Sequence, residues 1–131
     1  GYLYFGKAAA RTDDVFNYIP ARLSALFMLL ASVVLRYRPR NAWKIWRRDR
    51  RKHASPNSAQ TESVCAGALG LRLAGDAVYH GVLHEKPYIG DALREIEPFD
   101  IVRANRLMYC TAFAALVVFA AIAAPVLFLA I

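Results

Sequence analysis

Cysteine is nearly absent from this chain. Cys65 and Cys110 lie 45 positions apart, and neither belongs to a Cys-x-x-Cys pair. That excludes a zinc cluster built on cysteine alone and a disulfide framework as the basis of the fold. No G-x-S-x-G elbow, Walker A lysine motif or G-x-G-x-x-G turn occurs, so the chemistries those motifs support have no residues here. No internal repeat and no low-complexity linker divides the chain, and 131 residues fit one domain. Charged residues are 21% against 57% hydrophobic, which excludes a disordered polar or acidic tail. The start at Gly1 shows no n-region or cleavage site of a signal peptide, and the chain reads as a fragment or a processed piece of something longer.

What charge there is collects in one place. Residues 36–53 hold nine Lys or Arg (Arg36, Arg38, Arg40, Lys44, Arg47, Arg48, Arg50, Arg51, Lys52) against Asp49 alone. This stretch carries a net +8 and the rest of the chain −1, within a total of +7. Such a block binds nucleic acid, binds lipid phosphates or sets membrane orientation.

The hydrophobic runs decide among these. Leu107–Ile131 contains no charged side chain over 25 residues. As a helix it would be about 37 Å long, enough to cross a hydrocarbon core with some tilt, and Pro125 is tolerated near its end. Leu23–Leu35 is uncharged for only 13 residues, and extension back to Val15 takes in Asn17, Pro20 and Arg22. Two arrangements follow: a spanning helix with Arg22 snorkelling at one interface, or a helix broken at Pro20 whose start lines a polar site. With basic residues abutting that helix, the positive-inside rule puts 36–106 in the cytoplasm. Trp43 and Trp46 suit an amphipathic helix on anionic headgroups, so membrane lipid is favoured over nucleic acid as partner. The expected fold is mainly α: an integral membrane helical protein with a short β-hairpin or irregular loop region between helices. Its single domain, 1–131, divides into a polar motif segment (1–18), a membrane helix (19–35), a basic, motif-bearing cytoplasmic segment (36–106) and a transmembrane helix (107–131).

Within the central segment, Ser55-Pro56-Asn57-Ser58 reads as a loop entering a helix, with Ser55 able to cap it. From Ala59 to Gly70 small residues dominate, and Ala59, Ser63 and Gly67 form a stripe that lets another backbone approach. Leu69, Leu71 and Leu73 then alternate, Gly75-Asp76 supplies a turn, and Val78-Tyr79-His80 returns as a partner strand. Glu95, Glu97 and Asp100 precede the last helix, where acids complement its dipole.

Asp13-Asp14-x-x-Asn17 is the most chemical feature. Two carboxylates and an amide oxygen match what Mg²⁺ takes from protein when phosphates supply its other ligands; a capped helix start is the bland reading. Ser55-Pro56-Asn57, after the basic block, offers backbone N–H groups to a phosphate or is a capped turn. Glu62 follows as base, metal ligand or capping acid. His80-x-x-x-His84 has metal-ligand spacing only on a helix, and Gly81 argues against one there. His53 reads as part of the basic stretch.

Those motifs, in this order, carry a resemblance. Asp13-Asp14-Val15-Phe16-Asn17-Tyr18-Ile19-Pro20-Ala21-Arg22-Leu23 resembles a signature of the adenosylcobinamide-phosphate synthase family, an integral membrane enzyme family of cobalamin biosynthesis. Ser55-Pro56-Asn57-Ser58 with Ala66-Gly67-Ala68-Leu69-Gly70-Leu71-Arg72-Leu73 is similar to its second motif, and Lys86-Pro87-Tyr88-Ile89-Gly90 to its third. The resemblance runs over nearly the whole chain and covers the C-terminal part of the family. Ala59 and Ala74 stand where the family usually has glycine, and restrict backbone angles that glycine leaves open.

The resemblance implies a C–N ligase of the cell (inner) membrane, multi-pass. It would join aminopropanol phosphate to a propionate of the corrinoid adenosylcobyric acid, with ATP and Mg²⁺. It implies Asp13 and Asp14 as Mg²⁺ ligands, Arg22, Ser55 and Asn57 on phosphate groups, Asn17 and Arg72 in the same binding set, and Glu62 as base. Other cobalamin-assembly membrane enzymes become possible partners. Two rival classes remain: a Mg²⁺-dependent membrane transferase of a phosphorylated lipid or prenyl diphosphate, which needs a second acidic motif, and a non-enzymatic basic membrane scaffold.

Overall fold

A computed structural model describes residues 2–79 and 81–129. The protein is mainly helical. Helices α1 (Tyr2–Phe16), α2 (Tyr18–Val34), α3 (Pro39–Asp49) and α4 (Ala59–Leu69) precede four short strands and a final helix, α5 (Asp100–Leu129). The break expected at Pro20 falls one turn earlier: α1 and α2 meet at Asn17 with a 46° bend. Proline lacks an N–H and its ring crowds the carbonyl four residues back, which here is that of Phe16. Pro20 therefore sits in the first turn of α2 and displaces the discontinuity upstream.

Four helices build the core. Helix α3 starts on Pro39 and buries Ala42, Ile45, Trp46 and Asp49, the i, i+3, i+4, i+7 face. Helix α4 runs antiparallel to it: Gly67 meets Ala42 at one end and Gln60 meets Trp46 at the other. A Cβ on Gly67 would lie 2.6 Å from the Ala42 Cα, so the small-residue stripe is a helix-packing surface. Ala25 and Ala31 of α2, Val64 of α4 and Leu107 of α5 close the same core. One expectation changes. Trp46 is buried and donates Nε1–H to Gln60 Oε1 at 3.0 Å, so the apolar face of α3 is covered by protein rather than lying on headgroups; Trp43 remains half exposed.

The strands form two nested antiparallel hairpins. β1 (Leu73–Ala74) pairs with β4 (Tyr88–Ile89), and β2 (Ala77–Tyr79) pairs with β3 (Val82–His84). Residues 78–79 thus return to 82–83 rather than to the leucine run, because Leu69 ends α4 and Leu71 is a buried loop residue. His80 lies outside the described residues, and His84 is on a strand. Gly70 caps α4 in the left-handed conformation.

Helix α5 begins at Asp100, seven residues before the apolar run at Leu107, so Asp100 occupies its first turn while Glu95 and Glu97 precede it. Among the described residues it is the one helix long and apolar enough to cross a membrane, over Asp100–Pro125. Helices α1 and α2 reach that length only as a bent pair.

Candidate functional site

The bend at Asn17 brings two separated motifs together. Asp14, half-buried at the end of α1, accepts the Ser55 hydroxyl on Oδ1 at 2.7 Å. The Asn57 amide donates to the Asp14 carbonyl at 2.9 Å and, more weakly, to Oδ1 at 3.5 Å. Arg22, one turn into α2, donates to Asn57 Oδ1 at 3.3 Å and to the Tyr18 carbonyl at 2.7 Å while stacking on the Tyr18 ring. Asp14, Arg22, Ser55 and Asn57 are one cluster. A cavity of about 340 Å³ opens beside it, walled by Val15, Tyr18, Ile19 and Pro56.

The Ser-Pro-Asn turn is held from below. Buried Gln60 accepts from Trp46 and donates Nε2 to the Pro56 carbonyl at 3.0 Å, linking the core to the loop. Ser55 does not cap α4, which starts at Ala59; its oxygen instead accepts the Asn57 N–H at 3.3 Å within the turn.

The remaining candidates sit apart from Asp14. Asp13 is exposed and accepts the Asn17 amide at 2.7 Å. Glu62 faces His53, with Nε2 and Oε2 3.3 Å apart, and lines a mostly apolar groove of about 720 Å³ between α2, α4 and α5. In that wall, burial and then nearby Glu62 push the Cys65 thiol up to about 11, which keeps it protonated and inert. Arg72 stands over the Tyr88 ring, 4.5 Å from its centroid, and among the described residues forms no hydrogen bond or ion pair with Asp14, Ser55 or Asn57.

Electrostatics separates this site from its neighbour. The donors on Asp14 are neutral, and among the described residues no lysine or arginine forms an ion pair with Asp13 or Asp14. Asp49 is the opposite case. Fully buried at the end of α3, it takes Arg48 on both oxygens at 2.7 and 2.8 Å, Lys52 at 2.8 Å and the Gly90 N–H at 2.8 Å. Burial alone would raise its pKa; the hydrogen bonds from Arg48, Lys52 and Gly90 outweigh that and hold the carboxyl well below the usual carboxylate range. Lys52 also donates to the Tyr88 carbonyl at 2.9 Å, so the Lys86–Gly90 motif is pinned to α3. Sequence reasoning missed both this lock and the His53–Glu62 pair; the lone acid among nine cations was the available signal for the first.

The Asp14 carboxylate with the Ser55 hydroxyl beside it fits Mg²⁺, while Asn57 turns its Nδ2 to Asp14 and its Oδ1 to Arg22. Carboxylate, amide and hydroxyl oxygens are what that ion takes from protein, usually through one or two carboxylates with water and phosphate completing the shell. Among the described residues no three His, Cys, Asp or Glu converge as an all-protein cage.

These features define a class: a mainly helical protein with one helix able to cross a membrane and a polar carboxylate–amide–guanidinium cluster assembled from separated motifs. Residues 1–108 match the family described as CobD/Cbib protein, and the chain belongs to that family. It is 52% identical over 112 residues to cobalamin biosynthesis protein CobD of Desulfotalea psychrophila, covering 86% of this chain and 34% of that protein. It is 49% identical over 117 residues to the protein of that name from Clostridium perfringens, covering 89% and 37%, and 40% identical over 121 residues to that of Listeria monocytogenes, covering 92% and 38%. The chain thus spans a little over a third of the length of the curated relatives it matches. No solved structure matches it.

Proposed function

We propose that this chain acts in cobalamin biosynthesis, as part of a membrane-embedded ligase that joins aminopropanol phosphate to adenosylcobyric acid to give adenosylcobinamide phosphate. The observation that carries this reading is the convergence of Asp14, Arg22, Ser55 and Asn57 from two separated motifs, in a chain whose relatives are named cobalamin biosynthesis proteins.

Making an amide from a carboxylate needs the carboxyl oxygen turned into a leaving group, and ATP with Mg²⁺ supplies that activation when bound. Asp14 would hold the cation, because its carboxylate has hydrogen bonds but no compensating positive charge, and Asp13, one residue earlier but turned to Asn17, would reach the ion only by leaving that contact. Arg22 and the Ser55–Asn57 turn would hold phosphate oxygens, with Arg22 placed by Tyr18 and the turn by Gln60. Glu62, half-buried and facing His53, is the group available to take the proton that the attacking amine loses. Arg72 belongs to the Tyr88 loop and would meet a more distant part of the reactants. Both substrates are soluble and charged, so the site faces the cytoplasm in a multi-pass inner-membrane protein.

The test supplies membranes expressing the complete reading frame with adenosylcobyric acid, aminopropanol phosphate, ATP and Mg²⁺. The expected result is adenosylcobinamide phosphate, lost when ATP is omitted or Mg²⁺ is chelated. No product with all four present overturns the reading. Turnover of a prenyl diphosphate instead would establish the rival transferase.

A further inference from the structure

The opposite end of α2 carries a second polar feature that the ligase reading does not use. Where α2 turns into α3 and α5 begins, Arg36, Arg38, Arg94 and Arg103 surround a cavity of about 240 Å³. Their charges are unequally compensated. Arg94 and Arg103 share the carboxylate of Asp100, and Arg103 also meets Glu97 at 3.0 Å. Arg36 and Arg38 are exposed, and among the described residues they form no ion pair. Two uncompensated guanidiniums therefore remain beside two that Asp100 holds in fixed positions. Asp100 thus acts as the anchor that fixes half of the ring.

We propose that this arginine cavity is a binding site for a phosphate ester. Guanidinium groups match phosphate oxygens bidentately, and a phosphate placed here would neutralise the excess that Asp100 and Glu97 leave. The surroundings favour an ester carried by a lipid. Val33 and Val34, just before Arg36 at the end of α2, and Ile101, two residues before Arg103 in the first turn of α5, are more than half exposed. A phosphate among the arginines would have apolar surface next to it for acyl chains, at the start of the helix able to cross a membrane. Soluble phosphates offer the same head chemistry without that second contact. The site is distinct from the Asp14 cluster: Arg22 and Arg36 are 14 residues apart along essentially one helix, about 21 Å. It stands whether or not the ligase reading holds.

The purified chain in neutral detergent would be titrated with dioctanoyl phosphatidylglycerol, glycerol 3-phosphate and inorganic phosphate, with dioctanoyl phosphatidylcholine as the charge-balanced control. We expect phosphatidylglycerol to bind, and Arg36→Gln with Arg38→Gln to weaken it at least tenfold. Arg47→Gln with Arg51→Gln, which removes the same charge elsewhere, should leave binding within twofold. Glycerol 3-phosphate or inorganic phosphate binding as tightly as the lipid would support the site with a soluble ester as its occupant. Equal loss in both double variants, or no binding of any anionic probe, would overturn it. Should the Arg36/Arg38 variant misfold, the unmodified chain still decides: bound phosphatidylglycerol should protect Arg36 and Arg38 from phenylglyoxal, and unprotected labelling would contradict the proposal.

Discussion

Asp14 and Asp49 are both hydrogen-bonded carboxylates, with opposite charge balance around them. Asp49 is fully buried and saturated, with two cations and a backbone N–H on its oxygens. Asp14 is half-buried and receives only a hydroxyl and a weak amide contact. A saturated buried carboxylate holds structure together, since every gain from its charge is already taken by internal partners. A carboxylate with neutral donors keeps its field for a cation from outside. The comparison teaches that hydrogen bonding alone does not mark a structural acid; the charge balance around it does.

The largest effect that can break this contrast is on the Asp49 side. Asp49→Asn leaves Arg48 and Lys52 without their shared partner and loosens Gly90, and should cost about 3 kcal/mol in thermal unfolding of the detergent-solubilised chain. An unchanged melting temperature would remove the lock. Acid should reproduce part of that loss. Because the folded pKa of Asp49 lies below its ordinary 3.8, its contribution is complete above about pH 4 and fades as pH falls further. Hydrogen exchange at the Gly90 N–H should accelerate over that acid range in wild type and not in Asp49→Asn.

Smaller changes sharpen the link between core and site. Trp46→Phe keeps the ring but removes the donor to Gln60, and should cost about 1 kcal/mol while loosening the Pro56 turn. Faster amide exchange at Asn57 is the accompanying sign, and its absence would detach the core from the site. The smallest effect is favourable. Ala74 has φ +59°, in the left-handed region, so Ala74→Gly should raise stability by about 0.5–1 kcal/mol in the same melt. A loss of stability would mean that the alanine methyl contributes more than its strain.

Much of the helical fold was legible from particular residues. An amphipathic helix in the basic block, the small stripe of α4 and the uncharged run of α5 follow from periodicity and composition, though the α3 face packs on protein rather than on headgroups. The glycine that the resemblance leads one to expect at position 74 also becomes intelligible, since the backbone there turns left-handed. The position of the α1–α2 break was off by three residues, because proline acts on the carbonyl four residues before it rather than at its own position. The hairpin pairing was misread because alternation in Leu69, Leu71 and Leu73 crosses a helix end that only Gly70 marks. For the site, the motifs named Asp14, Arg22, Ser55 and Asn57, yet their contacts are between residues 35 to 43 positions apart. No local pattern encodes that distance. Glu62 was named without its partner His53, which a run of cations concealed.

The most direct test replaces Asp14 by Asn and measures turnover of the proposed ligase reaction and thermal unfolding on the same membrane preparation. The account predicts turnover reduced at least a hundredfold with stability within about 0.5 kcal/mol of wild type, because Asp14 serves a reactant rather than the fold. Retained turnover, or a stability loss as large as that of Asp49→Asn, would contradict it.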